Sequence, residues 1–257
     1  FPYSPLFRSL GRRIRGLFKL YGIHGDYSQL EPRLMAHWSQ DLVLLDTFRN
    51  ERDIYRVTAA YIFGVDYDEV TDEQRGPIKT LVLAMGYGAG AKKMSEILAE
   101  AGYPTTEATA AAYLRELKKL YRTFFSWKED VIRGAGAVGY VQTLAGRRRR
   151  LVSGDKRGTD GDHWKNADLS EVQAANAVLQ GSAGDIVQRV MVRSSEAFPD
   201  FGLIVQVHDE LMWQSEREPS PFQLFKLQKI AEQGHGFKLS VPLRFEPKLV
   251  KSWADGK

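Results

Sequence analysis

Aspartates at positions 26 and 209 stand in two short blocks, DYSQLE at 26–31 and QVHDEL at 206–211. Between them a third block, RGPIKTLVLAMGYG at 75–88, spaces Arg75, Lys79, Leu83 and Tyr87 four residues apart. Carboxylates suit hard, oxygen-seeking Mg²⁺, and two of them can hold a pair of ions about 3.5–4 Å apart, spanning the attacking and leaving oxygens of a phosphoryl displacement. Four-residue spacing lines side chains along one side of a helix. The middle block therefore offers two cations near a positive helix N-terminus, fit for a triphosphate, followed by Leu83 and Tyr87 as a surface for ribose and base. A metal-binding carboxylate, a phosphate clamp and a second carboxylate, in that order, are what nucleotidyl transfer needs.

Each block also has a plainer reading. Asp26 and Asp209 serve equally well as turn or cap residues, and the row from Arg75 is equally a solvated face above a core stripe. Glu31 completes a capping-box pattern with Ser28. Pro32 speaks against that box, because it would fall where the first intrahelical N–H is needed. The helix is then expected to begin at Pro32, a favoured first position, leaving Glu31 for another task. Asn176 and Gln180 share a helical face and could donate to the minor-groove acceptors common to every base pair, although surface amides are the default. Arg147 and Arg148 open a basic run beside a turn that could hold a phosphate backbone or simply be solvated.

The elements that must position these residues are of both kinds. Residues 17–27 alternate as a strand, with Asp26 at its end, and Leu30, Leu34, Met35 and Trp38 then recur at helical spacing. A helical stretch is expected over 42–64, and another from the TDEQ of 71–74, whose Thr71 and Gln74 fit a capping box, with Pro77 starting or kinking it. Residues 91–133 read as two helices broken at 102–104. A hairpin follows, 139–144 with 149–152, turning at Ala145-Gly146; then a polar loop over 153–170 and a long helix over 171–197. Strands at 203–207 and 211–214 carry His208, Asp209 and Glu210 at their tip, and the chain closes with a helix and a strand near 239–245. The expected class is α+β: an antiparallel sheet with packed helices, interrupted by an all-helical insertion.

Composition bounds the function. Of 257 residues 43% are hydrophobic and 11% aromatic, which supports a packed core. A net charge of +4 permits a polyanionic partner without requiring one. The lack of cysteine excludes a disulfide framework and a thiolate metal site, and fits a reducing compartment. No apolar run approaches the roughly 20 residues of a membrane-spanning helix, so no membrane partner is expected.

The chain resembles the palm and fingers of a family A DNA polymerase, the bacterial polymerase I type, from about residue 11 to 253. DYSQLE with Arg33 and His37 is similar to that family's first motif. Arg75, Lys79, Tyr87 and Gly88 match its nucleotide-binding helix, and Gln206 to Glu210 its third motif. Gly139 to Leu144 with Gly146-Arg147-Arg148, and Asn176 with Gln180-Gly181, fall between them in order.

The resemblance implies a template-directed DNA polymerase using two Mg²⁺ ions, with Mn²⁺ an acceptable substitute, on Asp26 and Asp209, with Glu210 in support. Arg75 and Lys79 would grip the triphosphate and Tyr87 would stack near the nascent pair. Glu31 would lie beneath the sugar and exclude a ribose 2′-OH. Arg33 and His208 would support the metal site and primer end, and Asn176 and Gln180 would check minor-groove geometry.

The implied domains are a first palm part over 1–40 with the first motif, helical fingers over 41–135, and a second palm part over 136–257 with the third motif. Implied partners are primer-template DNA, deoxynucleoside triphosphates and an upstream polymerase segment, thumb and first palm segment, in the same or a separate chain. The implied location is the cytoplasm of a bacterial or phage-infected cell. Three positions depart from the family pattern: Leu83 stands where an aromatic is usual, Tyr55 where a phosphate-contacting histidine is usual, and Val172 where a basic residue is usual. Three alternatives remain at this stage: a single-subunit RNA polymerase, against which Glu31 and the DYSQLE block argue, a non-catalytic nucleic-acid-binding module of the same fold, and an unrelated soluble enzyme whose motifs match by accident.

Overall fold

The computed structural model describes residues 19–86, 88–150, 167–252 and 255. Along the chain run β1 (Lys19–Tyr27), α1 (Leu30–Ser39), α2 (Leu42–Arg49), α3 (Ile54–Phe63), α4 (Asp72–Gly86), α5 (Ala91–Glu100), α6 (Glu107–Leu120) and α7 (Arg122–Val138). There follow β2 (Tyr140–Gln142), β3 (Arg148–Arg150), α8 (Ala167–Ala197), β4 (Gly202–Val207), β5 (Glu210–Ser215), α9 (Pro221–Gln233) and β6 (Phe245–Ser252). This mixture of helices and an antiparallel sheet is the expected class. Among the described residues no helix is long and apolar enough to cross a membrane.

The chain divides into two compact units. One holds the described residues up to 30, residues 183–238, and those from 243 onward; the other holds 31–182 and 239–242. The described residues of 31–40 and 136–182 thus go with the helical unit.

The first unit is built on a four-stranded antiparallel sheet ordered β4-β5-β1-β6. Alternation along β1 sends Ile23 and Tyr27 to one face and His24 and Asp26 to the other. Ile23, Trp213 and Phe245 are fully buried with Leu227 and Ala231 of α9, whose start is fixed by a capping box between Ser220 and Gln223 and by Pro221 in its first turn. Two polar groups of this core are paired: the Tyr27 hydroxyl donates to the Ala231 carbonyl at 2.8 Å, and Trp213 Nε1 to Ser194 Oγ at 3.2 Å. The closing strand runs over 245–252, later in the chain than expected, because there it pairs with β1 along nearly its whole length.

The second unit is helical, and its boundaries are set by caps. Asp41 is buried and caps two helices at once: Oδ1 accepts the Val43 and Leu44 amides of α2, and Oδ2 those of Thr123 and Phe124 in α7. The stretch expected as one helix over 42–64 breaks after Arg49. Asp53 starts α3 by accepting the Tyr55 amide, and Gly64 ends it in the left-handed conformation at φ 67°. Thr71 and Gln74 form the expected capping box of α4, each side chain reaching the other's amide at 3.3 and 3.0 Å. Pro77 lies inside that helix and does not start it.

Elsewhere three helices stand where two were expected, since Tyr121 leaves helical geometry between α6 and α7. Helix α1 begins at Leu30, two residues before Pro32. The proline is tolerated because the first four amides of a helix lack intrahelical partners. The polar segment expected as a loop lies largely outside the described residues, and α8 begins at Ala167, four residues early.

Candidate active site

The sheet register assembles the acids. β1 and β5 pair so that Asp26 stands directly opposite Glu210, and β1 and β6 so that Asp26 also stands opposite Glu246. Three carboxylates therefore form one row across β5, β1 and β6. Like charges directly opposed in a sheet are destabilising, so such a row is a stability cost that packing alone does not explain.

The next row tempers it. His24 Nε2 lies 2.9 Å from Glu210 Oε1, and Lys248 Nζ lies 3.6 Å from Glu246 Oε2. Asp26 is exposed at the end of its strand. Asp209 is half-buried in the two-residue turn between β4 and β5, where His208 takes φ 55° and its carbonyl accepts Gln206 Nε2 at 2.7 Å. Asp209 lies near enough to the end of β1 to act on Tyr27: burial chiefly, then the Glu232 and Asp209 charges, push that phenol above its usual 10.0.

The donors in this cluster are carboxylate oxygens, the chemistry that Mg²⁺ or Mn²⁺ prefers. Among the described residues no group of three or more His, Cys, Asp or Glu side chains is disposed to hold a metal ion. A Mg²⁺ site is commonly completed by one or two carboxylates, waters and substrate phosphates, so a pair of aspartates fits it.

The second unit carries the remaining candidates. On α4, Arg75 and Leu83 are half-buried and Lys79 is exposed, while Ile78, Leu81, Val82 and Met85 are buried; the row faces away from the core as its spacing required. Arg75 is held: its Nε donates to Asp53 Oδ2 at 2.7 Å, and its guanidinium lies 5.1 Å from the ring centre of Tyr55, which is buried. Tyr87 lies outside the described residues. Glu31 is half-buried in the first turn of α1. Arg33 turns inward: it is buried, donates to the Pro242 carbonyl at 2.7 Å and stacks on Phe48.

The hairpin and α8 meet within this unit. Ser182 Oγ accepts the Leu144 amide at 3.1 Å and Trp38 Nε1 at 3.2 Å, and Arg147 donates to the Gly181 carbonyl at 2.9 Å. Gly181 is required there, since a Cβ would lie 2.4 Å from Thr143 Cγ2. Gln180 is exposed and Asn176 half-buried on the same helix, and Arg148 lies over the Tyr140 ring at 4.6 Å.

Sequence reasoning passed over Asp41, Asp53, His24, Glu246 and Lys248. His24 was findable, being two residues before Asp26 in an alternating strand and so on the same face. Glu246 and Lys248 were not, because nothing local says which strand pairs with β1.

The family described as DNA polymerase family A matches residues 5–255. DNA polymerase I of Treponema pallidum is 33% identical over 259 residues, covering 98% of this chain and 25% of the relative; that of Pseudomonas aeruginosa is 36% identical over 221 residues, covering 81% and 23%. A solved structure titled as the POL domain of Pol1 from M. smegmatis in complex with DNA primer-template and dNTP superposes with a TM-score of 0.80 at 30% identity, over 96% of this chain and 43% of that one. The chain belongs to DNA polymerase family A. It spans about a quarter of the length of these curated relatives.

Proposed function

We propose that this chain carries the metal- and nucleotide-binding part of a template-directed DNA polymerase, which adds deoxynucleoside monophosphates to a primer 3′-OH. The observation that carries the proposal is the β1–β5 register, which brings Asp26 beside the turn bearing Asp209 in a chain of this family. The 3′ oxygen attacks the α-phosphorus, the bond to the β-phosphate bridging oxygen breaks, and pyrophosphate leaves.

Asp26 and Asp209 would hold two Mg²⁺ ions, or Mn²⁺ in their place, which when bound supply charge neutralisation at the phosphoryl oxygens and activation of the attacking hydroxyl. Lys79 and Arg75 bind the triphosphate, Arg75 exchanging its Asp53 partner for phosphate while Tyr55 keeps its guanidinium flat. Leu83 and Tyr87 support sugar and base, and Glu31 excludes a 2′-OH. Asn176 and Gln180 contact the minor groove, His208 and Arg33 support the primer end, the latter through its packing, and Arg147 and Arg148 hold the DNA backbone.

An upstream thumb-bearing segment completes the grip on DNA. More than half of the M. smegmatis polymerase chain has no counterpart in this one, which supports that need. The cytoplasm is the location that goes with this reading.

The test is primer extension with Mg²⁺ in the presence of the upstream polypeptide. Asp26→Asn and Asp209→Asn should each abolish extension while leaving the fold intact by circular dichroism. Equal extension by wild type and Asp26→Asn would refute the assignment.

A further inference from the structure

Lys128, on α7, has no part in the reaction just outlined, yet it is a buried ammonium, only 8% exposed. Its Nζ donates to the Met85 carbonyl at 2.9 Å and lies 5.6 and 5.8 Å from the ring centres of Phe124 and Phe125. Desolvation, with the like charge of Lys118 on α6 adding to it, lowers its pKa to about 8, so the group is still charged at pH 7. Holding a charge in such surroundings costs stability, and an apolar side chain of similar length would fill the same space without that cost. What the ammonium supplies and an apolar chain cannot is a charge-assisted hydrogen bond to one particular carbonyl.

That carbonyl belongs to the closing turn of α4. The Gly88 amide donates to it at 3.1 Å, the Ala89 amide donates to the Ala84 carbonyl at 3.1 Å, and Gly88 takes φ 72°. These are the paired bonds and left-handed glycine of a Schellman closure, and they span position 87. A carbonyl oxygen has two lone pairs, so the Met85 oxygen serves the Gly88 amide and Lys128 together. On another side, Gly86 packs directly against buried Met35 of α1, where a Cβ would lie 2.5 Å from Met35 Cε. The end of α4 is thus held to α7 by a charged bond and seated on α1, the helix that carries Glu31 in its first turn.

We propose that Lys128 is a positioning residue for the incoming nucleotide: by holding the Met85 carbonyl it sets where the end of α4 stands, and so where Tyr87 meets the base. The proposal rests on the polymerase reading above, which gives Leu83 and Tyr87 to sugar and base. Contacts to sugar and base are made alike before and during bond formation. Their loss belongs in nucleotide affinity and not in the insertion rate.

The first measurement is hydrogen exchange of the Gly88 and Ala89 amides in the full chain, which needs neither substrate nor partner. Lys128→Met, close in length but without a donor, should speed exchange at these two amides about tenfold and leave the first turns of α4 unchanged. The second is single-turnover insertion of one deoxynucleotide with Mg²⁺ and the proposed upstream polypeptide, which reads nucleotide Kd and insertion rate separately. The Met variant should raise Kd about tenfold and keep the rate within about twofold. In a Tyr87→Ala background the same substitution should move Kd by less than about twofold, because the residue it positions is gone. If the Met variant does not fold, Lys128→Leu carries the same expectations. Unchanged exchange, an unchanged Kd, or an equal rise in Kd in the Tyr87→Ala background overturns the proposal. Asp26→Asn separates it from the reading beneath: insertion by that variant at the wild-type rate, or none by the wild type, would instead overturn the polymerase assignment.

Discussion

Gly25 has no room for a side chain, and this fixes how close the strand bearing Asp26 comes to the core. A Cβ there would lie 2.1 Å from Cζ of Phe245, which is itself fully buried and packed edge-on against Tyr27 and Trp213. The ring cannot step aside without disturbing two aromatic neighbours. Gly25→Ala is accordingly expected to destabilise the protein by about 1–3 kcal/mol, the range of overpacked cores, and to lower activity through displacement of Asp26. Gly134, inside α7 with open space around its Cα, is the control: alanine there should stabilise by about 0.5–1 kcal/mol through helix propensity. Urea midpoints of the two variants decide it, and shifts of the same sign would be against this account. At this scale the sequence was informative about residue type but not about engagement. Arg75 was legible as a cation on a helix face, while its bond to Asp53 depends on a chain reversal that local pattern does not encode.

Helix α4 is secured at both ends. At its start are the Thr71–Gln74 box and Arg56, which donates to the Val70 carbonyl and to Asp72. Near its other end Lys128 of α7 donates to the Met85 carbonyl at 2.9 Å, one of the last four carbonyls of the helix, with its ammonium over the Phe124 and Phe125 rings. Lys128 is buried; desolvation, with Lys118 of α6 adding to it, brings its pKa from 10.5 down to about 8. A lysine whose folded value is depressed binds fewer protons folded than unfolded between those two values. Stability should therefore rise as pH goes from about 8 to 10.5, and below pH 8 the full cost of the buried charge is present. Lys128→Met removes this titration. Over that interval wild type should gain on the variant by on the order of 1–3 kcal/mol, measured as urea midpoints at several pH values; parallel curves would refute the assignment.

Across the whole molecule, DNA affinity is set by how many phosphates are contacted. The side chains proposed to contact phosphate are Arg147 and Arg148 at the hairpin and Lys79 and Arg75 on α4. The relatives are about four times as long as the stretch this chain matches, and the M. smegmatis chain about twice. In a primer-extension assay with an excess of trap DNA, the chain alone should add few nucleotides per encounter, and its DNA affinity should be low and fall less steeply with salt than that of the chain joined to the proposed upstream segment. Joined to the proposed upstream thumb-bearing polypeptide it should extend processively. Full processive synthesis by the chain alone would show that the proposed upstream segment is not needed.

Local pattern determined the alternating strand ending at Asp26, the four-residue row on α4, the capping box at Thr71, the hairpin tip bearing Asp209 and the order of the motifs, because each is written within a few neighbouring residues. Tertiary structure decided the rest. It broke the 42–64 stretch at Asp53, let one aspartate cap two helices distant in sequence, and moved the last strand to 245–252. Above all it set the register that places Glu210 and Glu246 on either side of Asp26 and ties Glu210 to His24. Strand pairing is fixed by which faces bury apolar area together across the whole sheet, and a two-residue period carries no record of the partner.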